Sequence, residues 1–170
     1  MAERFIGRVN QTLAFVRFSL ESLDQERHAP AIKPLRLRAL RESSLSHLHS
    51  VFRAYLGEIS ERYRLPLSEY TIASLNIVLE RTGQVIPEAR EINTLLETPE
   101  SWLFEMMKAS SEIDQPITGN PPANELASEI SITALPTRKT FDERLDEGLP
   151  LWYAEISELV QRHRSITQEW

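Results

Sequence analysis

The chain has no cysteine among its 170 residues and only 5 glycines. Without cysteine there is no disulfide, no thiol nucleophile and no thiolate metal site. Scarce glycine argues against a glycine-rich phosphate loop, a dinucleotide fingerprint or an all-β design. Turns must rely instead on proline, asparagine, aspartate and serine. No apolar run approaches the roughly 20 residues that span a bilayer, and Met1 to Arg8 lacks the uncharged apolar stretch of a signal peptide. The expectation is a soluble cytoplasmic protein with no membrane contact.

A surplus of positive charge is also missing. The net charge is −6, whereas a general nucleic-acid binder needs a basic surface. The positive charge present is mostly arginine, 16 residues against 3 lysines. Arginine suits paired or partly buried contacts, although genome composition produces the same bias. There is no His-Glu-x-x-His, no Glu-x-x-His and no Gly-x-Ser-x-Gly. No catalytic residue, cofactor or metal is therefore assigned, and an enzyme is disfavoured. Acidic residues read as a solvated surface shared with arginine.

What is present is helical periodicity. Ile6, Val9, Leu13, Val16, Leu20 and Leu23 step by three and four, predicting a helix from Glu3 to Leu23. Phe15 and Phe18 project away from that seam, either under a second layer or as a contact surface. A long helix is predicted from Pro34 to Tyr63, opened by proline at its first position and stopped by Pro66. Shorter helices follow from Glu69 to Thr82, capped by Ser68 and ending at Gly83, and from Pro87 to Leu96. Thr98 and Pro99 read as the start of a helix reaching Ile113.

Between Asp114 and Lys139 several prolines break the pattern, which reads as an extended arm. Within it Ile130 and Ile132 alternate with polar residues like a short strand. That strand either lies across the bundle or pairs with another chain. Thr140 and Glu143 match a capping box, predicting a short turn to Gly148. The last helix is then expected from Leu149 or Pro150, with Trp152, Ile156, Leu159, His163 and Ile166 along its seam. The fold predicted is all-α: one single-domain antiparallel bundle of about four to five main helices, with the proline-containing arm before the last.

Two polar residues interrupt apolar seams. Arg41, with Ser44 beside it, lies on the buried face of the long helix, and His163 lies on that of the last. A buried guanidinium needs a carboxylate, carbonyls or water, so Arg41, Ser44 and His163 are candidates for a polar network or an anionic-ligand site. Arg41 and His47 also fit the loose Arg-to-His spacing of helical toxin-type ribonucleases. With this many arginines roughly one such match arises by chance.

The segments GRVNQTLAF (Gly7 to Phe15), RESSLSHL (Arg41 to Leu48), YRLP (Tyr63 to Pro66), ETPESWL (Glu97 to Leu103) and the final EW resemble a family of small gamma-proteobacterial proteins. That family is catalogued as a domain of unknown function. The resemblance implies a compact, mainly helical cytoplasmic protein and carries no assigned activity, cofactor or catalytic residue. The expected function is a non-catalytic interaction or adaptor module, with a protein partner or self-association as a homodimer, through Phe15, Phe18, Ile130 and Ile132. The alternative is a helical nuclease or small anionic-ligand-binding protein using Arg41 with His47 or His163.

Overall fold

A computed structural model describes residues 3–113 and 139–168. They form α1 (Glu3–Arg27), α2 (Pro34–Tyr63), α3 (Ile72–Thr82), α4 (Pro87–Glu97), α5 (Trp102–Ile113) and α6 (Phe141–Gln168). Ile130 and Ile132, and with them the strand reading, lie outside the described residues.

The bundle is built around α2. One face of α2 buries Leu45, Leu48, Val51, Tyr55, Leu56 and Ile59 completely, and each such side chain contributes about 1.5–3 kcal/mol by leaving water. The hairpin partner α1 covers α2 most extensively, while α5 and α6 complete the core. Side-chain pairings give the directions. Arg41 meets Asp146 and Tyr55 meets His163, so α2 and α6 run in parallel. Arg27 meets Asp146 and Asn10 meets Arg164, so α1 is antiparallel to α6. The short helices α3 and α4 pack on each other, where Asn76 and Asn93 exchange amide hydrogen bonds at 2.9 Å.

Several predicted boundaries shift. Helix α1 continues to Arg27, and α3 starts at Ile72, where the Thr71 hydroxyl accepts the Ser74 N–H, rather than at Ser68. Helix α5 is capped by Ser101, whose hydroxyl accepts the Phe104 N–H at 3.2 Å. Thr98 instead closes α4 by donating to the Thr94 carbonyl. Helix α2 stops at Arg64, which is left-handed at φ 53°, just before Pro66. Gly83 takes the expected left-handed cap at φ 66°. The Thr140–Glu143 capping box forms in both directions.

The largest correction is α6. It is one helix of 28 residues that passes through Gly148 and Pro150. Leu145, Leu149, Trp152 and Ile156 are all buried at steps of four, three and four, and that continuous apolar stripe outweighs the break signals. Pro150 is exposed and forfeits one backbone bond. Gly148 is the seat of the Trp152 indole, which leans back along the helix over it; a Cβ there would overlap the ring.

Candidate functional site

Polar side chains gather at the two ends of the α2–α6 contact. At the first end, Arg41 is nearly buried and extends from α2 to the opening turns of α6. Its Nε and Nη2 donate to the two carboxylate oxygens of Asp146 at 2.7 and 2.8 Å, and its Nη1 donates to Asp142 at 3.1 Å. Arg27 of α1 pairs with the same Asp146. Two cations face two anions, so this cluster is neutral. Burial works to raise the Asp146 carboxyl, but the bonds from Arg41 and Arg27 prevail and hold it below the usual range. The extension of α6 back to Phe141 is what places both aspartates opposite Arg41. Ser44 is fully buried and donates to the Leu40 carbonyl of its own helix, outside this cluster.

The Arg41→Leu variant is expected to lose about 2 kcal/mol, because Asp142 and Asp146 then face the protein with only Arg27 beside them. Urea denaturation at neutral pH measures this. Asp146 titrates below its unfolded value, so its contribution is present above about pH 4 and is lost as pH falls through the folded value. The difference between wild type and variant should therefore shrink on acidification.

At the second end, about 25 Å further along α6, His163 is 3% exposed. Its Nε2 lies 2.8 Å from a Glu91 carboxylate oxygen, and its Nδ1 meets the Tyr55 hydroxyl. Carboxylate oxygens only accept, so Nε2 carries the proton and, in the neutral ring, Nδ1 accepts from Tyr55. Burial pushes the Tyr55 phenol far above its ordinary value, which keeps it a hydroxyl donor. Bonds from Arg162 first, and from His163, hold Glu91 below the usual carboxylate range against the effect of burial.

Next to this relay lies a second network, which the sequence did not reveal. Glu58 is 2% exposed and receives Arg164 through both oxygens, at 2.9 and 2.6 Å, and Arg62 at 2.9 Å. Arg62 continues to Glu88 at 3.0 Å, where the Tyr63 hydroxyl also donates. Burial and the bond to Glu88 raise the Tyr63 phenol. Tyr63, Glu88, Glu91 and His163 border a small cleft of about 110 Å³ closed by Pro87 and Ile166.

Glu58, Glu88 and also Glu26 are buried, which corrects the reading of all acidic residues as solvated. For Glu58 a signal existed: it follows Val51 by seven residues and so projects within about 20° of it. Its i,i+4 partner Arg62 looks like an ordinary surface pair in sequence. Glu88 gave no such signal, since its partners come from α2.

The structure does not bring Arg41 and His163 together; each belongs to its own cluster. His47 lies on another side of α2, against the Phe15 ring at 5.6 Å. Phe15 is 36% and Phe18 52% exposed, and the Arg17 guanidinium sits over the Phe18 ring at 5.2 Å. No second layer covers these two rings among the described residues. Nor does any group of three or more His, Asp or Glu side chains there have an arrangement that could hold a metal ion, and no described helix is long and apolar enough to cross a membrane.

The whole chain, residues 1–170, matches the model of a family of unknown function, DUF6586. No curated protein and no solved structure matches it.

Proposed function

The chain belongs to this family of unknown function, and we propose that it is a non-catalytic protein-interaction module of the bacterial cytoplasm that self-associates through the outer face of α1. The observation that carries this reading is how the polar and apolar groups are distributed. Arg41 is bound by two aspartates, and His163 has both ring nitrogens engaged. Neither is poised to attack or to protonate a substrate. Phe15 and Phe18, by contrast, remain exposed on α1. Three residues apart, they are neighbours on one face of that helix. Aromatic side chains are enriched at interface centres and supply much of the energy of association.

Light scattering coupled to gel filtration tests this. The wild-type chain should show a concentration-dependent dimer, and Phe18→Glu should move it to monomer by weakening association at least about 30-fold. A dimer indifferent to Phe18→Glu, or a wild-type monomer at high protein concentration, counts against the α1 surface. Cleavage of RNA that is lost in Arg41→Ala would instead favour the nuclease alternative.

A further inference from the structure

The start of α1 and the middle of α2 enclose a cleft of about 180 Å³ that neither polar cluster uses. It is lined by Phe5 and Arg8 of α1, by Ser50, Arg53 and Ala54 of α2, and by Tyr70 of the segment leading to α3. Its floor is a positioned pair of rings. Phe5 lies directly on Gly57, where a Cβ would overlap its ring atoms. Tyr70 meets Phe5 edge to face, with centroids 4.6 Å apart and planes at 63°.

The rim carries Arg8 and Arg53, both exposed. Arg8 donates to the Gln11 side chain at 2.8 Å. Among the described residues, no carboxylate pairs with either arginine. By contrast Arg27, Arg41, Arg62, Arg144, Arg162 and Arg164 all bind carboxylates. Glu61, on the same side of α2, is occupied by Arg4 and by the Phe5 N–H. The Ser50 hydroxyl donates to the Ser46 carbonyl, so its proton is already used. In a chain of net charge −6, two guanidiniums without a carboxylate beside an aromatic floor form a local positive site.

We propose that this cleft binds a small aromatic acid, with the ring on the Phe5–Tyr70 floor and the carboxylate between Arg8 and Arg53. Guanidinium groups match a carboxylate through paired N–H donors. Phe5 and Tyr70 are half-buried, and the ring surface they leave open to the cleft favours a flat aromatic partner over an aliphatic one. The cleft volume is close to the roughly 150 Å³ that accommodates a benzene ring. The cleft is built from residues outside the α1 surface of Phe15 and Phe18, so the site does not depend on self-association.

The test is an NMR titration of the full ¹⁵N-labelled chain with benzoate, and separately with cyclohexanecarboxylate, benzamide and inorganic phosphate. Benzoate should give saturable shifts at the cleft with a Kd of about 1 mM, a reasonable affinity for so small a ligand. The three comparison compounds should each bind at least about tenfold more weakly. Arg53→Gln should weaken benzoate about tenfold by removing one guanidinium. Gly57→Ala should do the same by displacing Phe5; Tyr70→Leu removes half of the floor without touching α2 and serves if that variant fails to fold. Absence of saturable shifts up to roughly 20 mM benzoate would overturn the proposal. So would affinity unchanged by Arg53→Gln, or phosphate binding as tightly as benzoate.

Discussion

Replacement of Glu58 by alanine is expected to cost about 3–5 kcal/mol of folding stability. Glu58 is almost completely buried, and it is the shared acceptor for Arg62 and Arg164. Removing it leaves Arg164 without its two-oxygen partner and leaves Arg62 with Glu88 alone. The penalty is the cost of leaving two largely buried guanidinium groups without this carboxylate, not the net worth of the intact pair. A domain of this size is typically stable by only about 5–15 kcal/mol, so the variant should unfold at much lower urea. Paired with Arg164→Ala in a double-mutant cycle, it should show a coupling of at least about 1 kcal/mol. Additive effects, or a loss below about 1 kcal/mol, would mean that Arg62 and Arg164 find water once Glu58 is gone.

The second large effect is expected at Tyr55. It is fully inaccessible, at the point where α2 meets α6, and its hydroxyl bonds to His163. Tyr55→Ala should lose about 4 kcal/mol through the cavity and the lost transfer energy. Tyr55→Phe keeps the ring and removes only the hydroxyl, deleting the Tyr55–His163 hydrogen bond at a cost of about 1–2 kcal/mol. The difference between the two variants separates packing from hydrogen bonding at one position. If Tyr55→Phe proved as damaging as Tyr55→Ala, the hydroxyl–imidazole contact would be far stronger than an ordinary buried hydrogen bond. A neutral Tyr55→Phe would show that His163 is satisfied by another group.

These variants act on features that were unequally visible in the sequence. Arg41 declared itself because a guanidinium on a leucine-rich helical face is improbable unless paired. Its partners did not, because Asp142 and Asp146 lie about a hundred residues away, in a stretch where Gly148 and Pro150 suggested interruption. His163 stood out in the same way as Arg41, but nothing local indicated Tyr55 or Glu91 as its neighbours. Tyr55 itself reads as an ordinary apolar position of α2, since its ring satisfies the periodicity whatever its hydroxyl does.

Helix identity is short-range physics, and here the sequence was sufficient for it. Steps of three and four, together with Pro34, Pro87, Gly83 and the Thr140–Glu143 box, place apolar stripes and ends from interactions within one or two turns. The sequence also determined that the described elements are all helices and that Arg41 must be neutralised if buried. Tertiary structure alone decided which anion neutralises it, that α6 continues through Pro150, and that Glu58 and Glu88 turn inward. Each of these outcomes depends on contacts between helices remote in the chain. Burial of the α6 stripe outweighs a local break, and desolvated carboxylates are tolerated only where arginines from other helices converge. The cleft of Phe5, Arg53 and Tyr70 is of the same kind. Its residues carry no shared pattern in sequence, and only the packing of α1 on α2 and on the segment leading to α3 assembles them.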